Sequence, residues 1–222
     1  EQKIFPVPSI ALGTPDLSVY EMVAAYSTFA NKGVYTKPSF IEKIEDKNGT
    51  ILFQSNPEIK DVLSEEAAYV TVNLLEGVTT AGSGTRLRTV GADEYNRAYQ
   101  KVVTGYPYEF KNPIAGKTGT TQNQSDGWFI GMVPNLVTGV WVGAEDRAIH
   151  FEDIAYGQGA TMALPIWANY MRNVYLDTTL MISKEPFEKP DILNIELDCN
   201  KFVIDSIGSG KTTDQEIQDI DF

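Results

Sequence analysis

Gly116-Lys117-Thr118-Gly119-Thr120-Thr121 is the run in this chain whose residue types point most directly to chemistry. Lys117 offers a fixed positive charge. Thr118 and Thr120 lie two apart, so on a β-strand both hydroxyls point to one face. Gly119 between them has no side chain, which lets a ligand backbone lie against the strand, as peptide strand addition requires. A cation and two hydroxyls on one side of an edge strand make a cradle for a carboxylate at a peptide end. The competing reading is a Gly/Thr-rich turn ahead of a hairpin, because a bare Lys-Thr-Gly is common by chance.

Other candidates carry less. Gly208-Ser-Gly-Lys-Thr212 looks like a phosphate loop, but that pattern needs a glycine where Asp205 stands. Asn48-Gly-Thr50 and Asn123-Gln-Ser125 fit a glycosylation sequon and read better as turns. His150 has no second ligand beside it and reads as a surface histidine. Glu145-Asp146 and Glu152-Asp153 read as loop charge rather than a glycosidase carboxylate pair. Trp128, Trp141 and Trp167 sit in apolar stripes and are expected in the core.

Composition removes whole classes of function. The chain has 222 residues, 18 Lys+Arg against 30 Asp+Glu, and a net charge of -12. That balance argues against a nucleic-acid partner, whose phosphates need clustered basic residues. With a single Cys (Cys199) and a single His, neither an internal disulfide nor a Cys- or His-based metal centre is expected. No apolar run is long enough for a membrane span. From Lys184 to Phe222 there are 4 basic and 10 acidic residues, about half of the net charge. Residues 184–222 therefore read as an acidic, partly ordered extension with one strand around Ile195, Leu197 and Cys199, and 1–183 as the body.

The elements that must position the Lys-Thr-Gly run follow from periodicity. Ser18-Val-Tyr-Glu21 is a capping box, followed by Val19, Val23, Tyr26 and Ala30 at helical spacing and a stop at Gly33. Asn48-Gly49 between two apolar runs is a hairpin signal, with positive φ expected at both turn positions. A second helix starts at Ser64 with the stripe Ala67, Val70, Leu74 and Val78. Residues 86–112 lack a clean period, and Tyr95, Tyr99, Tyr106 and Tyr108 are expected to pack over the sheet rather than rim a cleft. From Ile114 strands follow, two of them joined by Pro134-Asn135. Pro165 begins a helix with Leu164, Trp167, Ala168, Met171 and Val174 on one face. The plan is α+β: an antiparallel sheet with flanking helices.

Several segments in order resemble the transpeptidase domain of penicillin-binding proteins, the bifunctional class A type in particular. They are Pro8-Ser-Ile-Ala-Leu-Gly13, Ala25-Tyr-Ser-Thr-Phe-Ala-Asn31-Lys-Gly-Val-Tyr35, Ile114-Ala-Gly-Lys-Thr-Gly-Thr-Thr121, Asp126-Gly-Trp-Phe-Ile-Gly131 and Gly157-Gln-Gly-Ala160. Lys-Thr-Gly is one of that superfamily's motifs. The resemblance implies serine acyl transfer on D-Ala-D-Ala stem peptides of peptidoglycan, with β-lactams as competing ligands. Lys117 would supply positive potential. Thr118 and Thr120 would hold the terminal carboxylate along Gly119, and the Thr120 N–H would be an oxyanion-hole donor. It implies no metal or organic cofactor. It also implies an upstream glycosyltransferase domain, and a parent anchored on the outer side of a bacterial cytoplasmic membrane. A D,D-carboxypeptidase or β-lactamase-like hydrolase of the same superfamily stays open, as does a non-catalytic penicillin-recognising module.

The chain departs from the family in one decisive respect. None of its serines has a Lys three residues on or an Asn two residues on, so Ser-x-x-Lys and Ser-x-Asn are both missing. In the family both precede the point matched by Pro8, so the chain is expected to begin after them and to lack the nucleophile. Without those helices an apolar face of the sheet is left bare, which favours self-association. The expected outcome is that this chain alone gains no covalent adduct from a labelled β-lactam; a stoichiometric mass increase in the mass spectrum would contradict it.

Overall fold

The computed structural model of the chain describes residues 4–90, 99, 101, 103, 105–198 and 201. Ser18 opens helix α1 (Val19–Ala30) with the reciprocal cap its spacing predicts. The Ser18 hydroxyl accepts from the Glu21 amide at 3.2 Å, and the Glu21 carboxylate accepts from the Ser18 amide at 2.9 Å. The bond from the Ser18 backbone holds the Glu21 carboxyl below its ordinary range. The helix stops where Gly33, at φ +91°, returns its amide to the Thr28 carbonyl at 2.8 Å. A Cβ at Gly33 would stand 2.2 Å from the Leu63 carbonyl oxygen, so no other residue fits.

Four short strands follow: β1 (Val34–Thr36), β2 (Lys43–Glu45), β3 (Ile51–Gln54) and β4 (Ile59–Asp61). β1 pairs with β4 and β2 with β3, both antiparallel. The hairpin lies where Asn48-Gly49 predicts it, but its turn differs. Gly49 alone takes positive φ (+84°), while the Asp46 carboxylate accepts from the amides of Asn48 at 2.7 Å and Thr50 at 2.9 Å. An aspartate-capped turn with a register shift between Ile44 and Glu45 replaces the two-residue turn.

Helix α2 (Glu65–Thr80) begins at Ser64, whose hydroxyl accepts from the Ala67 amide. Its buried line is Ala68, Val72 and Thr79, with Leu75 half-buried; Leu74, assigned to the stripe from its spacing, is 68% exposed. Small and branched apolar residues stand on two sides of this helix. The phase is chosen by what it packs against, namely Ala115 and Met132 of the sheet.

The sheet has three strands: β5 (Ala115–Thr120), β6 (Gly127–Val133) and β7 (Leu136–Val142), in the order β5-β6-β7 and antiparallel throughout. After it come two single-turn helices, α3 (Ile154–Gly157) and α4 (Gly159–Met162), and the longer α5 (Leu164–Leu176). One face of the sheet (Ala115, Met132, Val137) lies on α1 and α2. The other (Ile114, Phe129, Val133) lies on α5, whose expected stripe of Leu164, Trp167, Ala168, Met171 and Val174 is buried throughout, so both faces carry helices and the bare apolar face expected from the sequence is not found. The architecture is α+β, as the element pattern predicts.

Trp167 is the centre of the second layer. It is fully buried and meets Phe129 edge-on at 5.2 Å and Phe110 at 6.2 Å. Tyr106 and Tyr108 are buried in the same layer and Tyr99 packs on it, so these tyrosines are packing residues; Tyr95 lies outside the described residues. Trp141 departs from expectation: it is 41% exposed, on the strand at the far side of the sheet.

The compact unit runs to Pro190. Phe187 packs against the Val72 cluster, and Lys32 pairs with Glu65 at 3.2 Å and Glu188 at 2.9 Å. Seven residues that composition assigns to the acidic extension thus lie on the body. In the second unit, residues 191–198 form no strand, contrary to the expectation around Ile195 and Leu197; Cys199 lies outside the described residues. Among the described residues no helix is long and apolar enough to cross a membrane.

The contact between β6 and α5 permits a direct test. A Cβ on Gly131 would lie 2.5 Å from the Trp167 ring, whereas one on Gly77 in α2 would meet nothing within 4 Å. Gly131→Ala is expected to cost about 1–3 kcal/mol by overpacking, and Gly77→Ala to gain about 0.5–1 kcal/mol by helix propensity. Thermal melts followed by circular dichroism give both, and a Gly131 variant melting with the parent would contradict the packing.

Candidate functional site

β5 ends in the Lys-Thr-Gly-Thr run, and its orientation is set at the turn into β6. The Thr121 amide donates to the Asp126 carbonyl at 3.1 Å, making Thr121–Asp126 a hydrogen-bonded pair. Bonded and non-bonded pairs alternate along an antiparallel ladder. In the observed register, Gly119–Trp128 and Lys117–Ile130 are therefore bonded pairs, and Thr120–Gly127 and Thr118–Phe129 are not. The N–H and C=O groups of Thr118 and Thr120 consequently turn away from β6. They face an edge that has no strand neighbour among the described residues.

A buried carboxylate locks that turn. Asp126, 7% exposed, takes Oδ2 bonds from the Thr121 and Ser125 hydroxyls, both at 3.0 Å, and an Oδ1 bond from the Trp141 indole at 3.0 Å. Its own amide donates to Thr121 Oγ1 at 2.9 Å. A buried charge bonded this fully is a rigid fixture. It also gives Trp141 a reason to remain at the surface, since its N–H is committed to Asp126.

Side-chain alternation separates the candidate residues. Thr118 and Thr120 share the face of Gly116 and Phe129, turned toward α5, as their spacing predicts. Lys117 falls on the opposite face with Ala115, which packs against Val72. A cation and two hydroxyls on one side is thus corrected: adjacent residues of a strand cannot share a face. The edge reunites them, because the exposed Lys117 reaches back and its Nζ donates to the outward Thr118 carbonyl at 2.7 Å.

Each threonine hydroxyl is held by a different neighbour. Thr118 Oγ1 lies 2.6 Å from Ser83 Oγ in the loop after α2. Thr120 Oγ1 accepts from the Gly159 amide at 3.0 Å at the start of α4. Gly159 can approach only because it lacks a side chain: a Cβ there would stand 2.3 Å from the Gly119 carbonyl oxygen. Gly119 is also tight, with Trp128 Cβ at 3.1 Å from its would-be Cβ. Asp126 and Gly159 fall in segments that carry the family resemblance, but nothing local marks them or Ser83 as partners of the run; Ser83, Asp126 and Gly159 lie 35, 5 and 39 residues from the threonines they touch.

The start of β5 is pinned from α2. Thr79 Oγ1 donates to the Ile114 carbonyl at 2.6 Å and Arg88 donates to Thr79 Oγ1 at 2.9 Å. Arg88 also donates to the carbonyls of Phe110, at 3.2 Å, and Asn112. His150 is exposed and stands apart, its Nδ1 near the Phe151 carbonyl, and Asp153 caps α3; the Gly208–Thr212 run lies outside the described residues.

Comparison with known proteins decides the family. The family model of the penicillin binding protein transpeptidase domain matches residues 8–161, a span that contains α1, α2 and the whole β5–β7 sheet. The chain belongs to the penicillin-binding protein transpeptidase family. It is 37% identical over 185 residues to penicillin-binding protein 1A of Aquifex aeolicus, covering 83% of this chain and 22% of that protein. It is 32% identical to penicillin-binding protein 2D of Bacillus subtilis, covering 75% and 22%. The chain therefore spans about a fifth of the length of these curated relatives. Among solved structures, penicillin-binding protein 1A of Haemophilus influenzae superposes with a TM-score of 0.63 at 25% identity, covering 86% of this chain and 30% of that one. PonA1 of Mycobacterium tuberculosis in complex with penicillin V gives 0.61 at 26%, covering 85% and 45%.

The clamp at Ile114 makes a pH prediction. Burial raises the Glu76 carboxyl above its ordinary value, with the Arg88 charge opposing. The folded chain then keeps a proton that the unfolded chain loses near the ordinary glutamate value of about 4.3. This contribution is fully present below that pH and is lost as pH rises through the folded value. Glu76→Gln is expected to raise the melting temperature at about pH 7 relative to the parent and to remove this slope. A variant melting lower at that pH would show that pairing with Arg88 outweighs burial.

Proposed function

We propose that this chain is the Lys-Thr-Gly side of a peptidoglycan D,D-transpeptidase cleft. The reaction is acyl transfer through a serine: its hydroxyl attacks the carbonyl of the penultimate D-Ala of a stem peptide, D-Ala leaves, and an amine of a second strand takes the acyl group. The attacking serine and its proton-handling partners belong to Ser-x-x-Lys and Ser-x-Asn motifs that this sequence does not contain. In the proposed whole protein they come from the upstream half of the domain. This chain by itself then binds and polarises but does not acylate.

The observation that carries this reading is the outward-facing backbone of Thr120 on the edge of β5 that has no strand neighbour among the described residues, flanked by two hydroxyls and Lys117. A substrate carbonyl at that edge meets an N–H not spent on the sheet, which is what an oxyanion-hole donor must be. A terminal carboxylate one residue along meets the threonine hydroxyls, with the lysine charge supplying attraction. Penicillin carries the same carboxylate beside its reactive carbonyl, so it would occupy the same edge. In the whole protein we place this domain outside the cytoplasmic membrane, anchored by a segment not contained in this sequence and following a glycosyltransferase domain. No metal or organic cofactor enters the proposed chemistry.

The test separates the two roles of Thr120 in the complete protein. Thr120→Val removes the hydroxyl and is expected to slow acylation by penicillin V about 10-fold or more, the worth of a hydrogen bond to a charged group. Thr120→Pro also removes the edge N–H, which the β5–β6 ladder does not use, and is expected to lose about 100-fold or more. Equal rates for both variants and the parent, with folding verified by circular dichroism, would overturn the assignment.

A further inference from the structure

The loop Gly82-Ser83-Gly84 after α2 is folded tightly and holds an exposed serine beside Thr118. A Cβ on Gly82 would stand 2.9 Å from Val78 Cα, and one on Gly84 3.2 Å from the Val78 carbonyl oxygen, so the loop is folded tightly against the end of its helix. The Gly84 amide closes on the Val78 carbonyl at 2.9 Å. Beyond it, Leu87 is fully buried, and Arg86 donates to Thr161 Oγ1 at 3.0 Å while stacking over Tyr99 at 4.1 Å. The loop is thus anchored on both sides of Ser83.

Ser83 Oγ lies 2.6 Å from Thr118 Oγ1, a strong hydroxyl–hydroxyl bond between residues 35 apart in sequence. Each hydroxyl has one proton, so only one of the pair donates. If Thr118 donates to Ser83, its proton is spent and it has none for a ligand. If Ser83 donates, Thr118 receives there and its own proton is released toward the open edge, polarised by the bond it accepts. A carboxylate and an ester can both only accept, but a bond to the charged acceptor is about twice as strong, so an anionic ligand gains most from the second arrangement.

We propose that Ser83 is a positioning residue for the anionic end of the ligand: it donates to Thr118 and aims the Thr118 proton at the ligand carboxylate, so that the site favours a free carboxylate over a neutral ester. This rests on the function proposed above, deepening it from a grip by two threonines to a relay of three hydroxyls. Ser83 acts through Thr118 and need not touch the ligand.

The experiment uses the complete protein and two probes, penicillin V and its methyl ester, and reads the second-order acylation rate for each. Ser83→Ala is expected to slow acylation by penicillin V about fivefold, within the range of one neutral hydrogen bond. The ester rate is expected to stay within about twofold of the parent, so the preference for the acid shrinks. Ser83→Thr keeps the hydroxyl and is expected to restore that preference. Equal loss toward both probes, or no loss toward either, overturns the role of Ser83. Thr118→Val in the same assay keeps the two proposals apart. If it abolishes the acid preference while Ser83→Ala does not, only the relay fails; if it leaves the preference intact, the carboxylate grip itself fails.

Discussion

The register of β5 on β6 is the constraint from which the site follows. Side chains on a strand alternate with a period of two, and in an antiparallel ladder so do the outward and inward backbone groups. Slip β5 by one residue and the Thr118 and Thr120 hydroxyls would turn to the α2 face, while their amides would be consumed by β6. A glycine- and threonine-rich strand specifies its register weakly, because little distinguishes its two faces. Here the register is imposed from both ends. Asp126 and Thr121 fix the turn through four hydrogen bonds among buried or half-buried groups, and Thr79 with Arg88 ties the Ile114 carbonyl to α2. The chemistry-bearing residues themselves contribute little to their own placement.

Close approach is the second constraint, and glycine is how the chain meets it. Trp167 of α5 lies over Gly131, and the start of α4 lies against the β5 and β6 backbones at Gly159. The first contact brings a large aromatic into the sheet and builds the layer under Phe129. The second brings a free helix-start amide within reach of Thr120. One serves the core and the other the site, yet the physical requirement is the same: an approach to a backbone closer than a Cβ allows.

Local signals in the sequence were legible where the structure is local. The Ser18–Glu21 box, the stop at Gly33, the β6–β7 turn at Pro134-Asn135 and the α5 stripe all depend on residues within about a turn of each other, and all stand as expected. The α+β plan and the Lys-Thr-Gly strand were legible for the same reason. What long-range packing decides was not. The α2 stripe turns by one position because Ala115 and Met132 select it, and Trp141 stays at the surface because Asp126, 15 residues away, holds its N–H. The pairing of β1 with β4 across an intervening hairpin has no local signature either. In the site, the two hydroxyls on one face could be read from spacing, whereas adding Lys117 to that face contradicted the same rule. Its position at the edge depends on an unpaired strand, which is a property of topology and not of composition.

The two threonines are held before any ligand arrives. Thr118 meets a hydroxyl from the α2 side and Thr120 meets an amide from the α4 side, each delivered by a segment whose glycines pack closely on neighbouring backbone. Orienting a flexible rotor at the moment of binding costs entropy, and orienting it during folding moves that cost out of the reaction. The consequence for Lys117 is the opposite. Its ammonium bonds to the backbone of the next residue and its chain is exposed, so it remains free to move toward an incoming negative charge. In the proposed cleft, a cation beside two held hydroxyls would split recognition into two parts: the charge would attract an anion over distance, and the hydroxyls would decide where it rests.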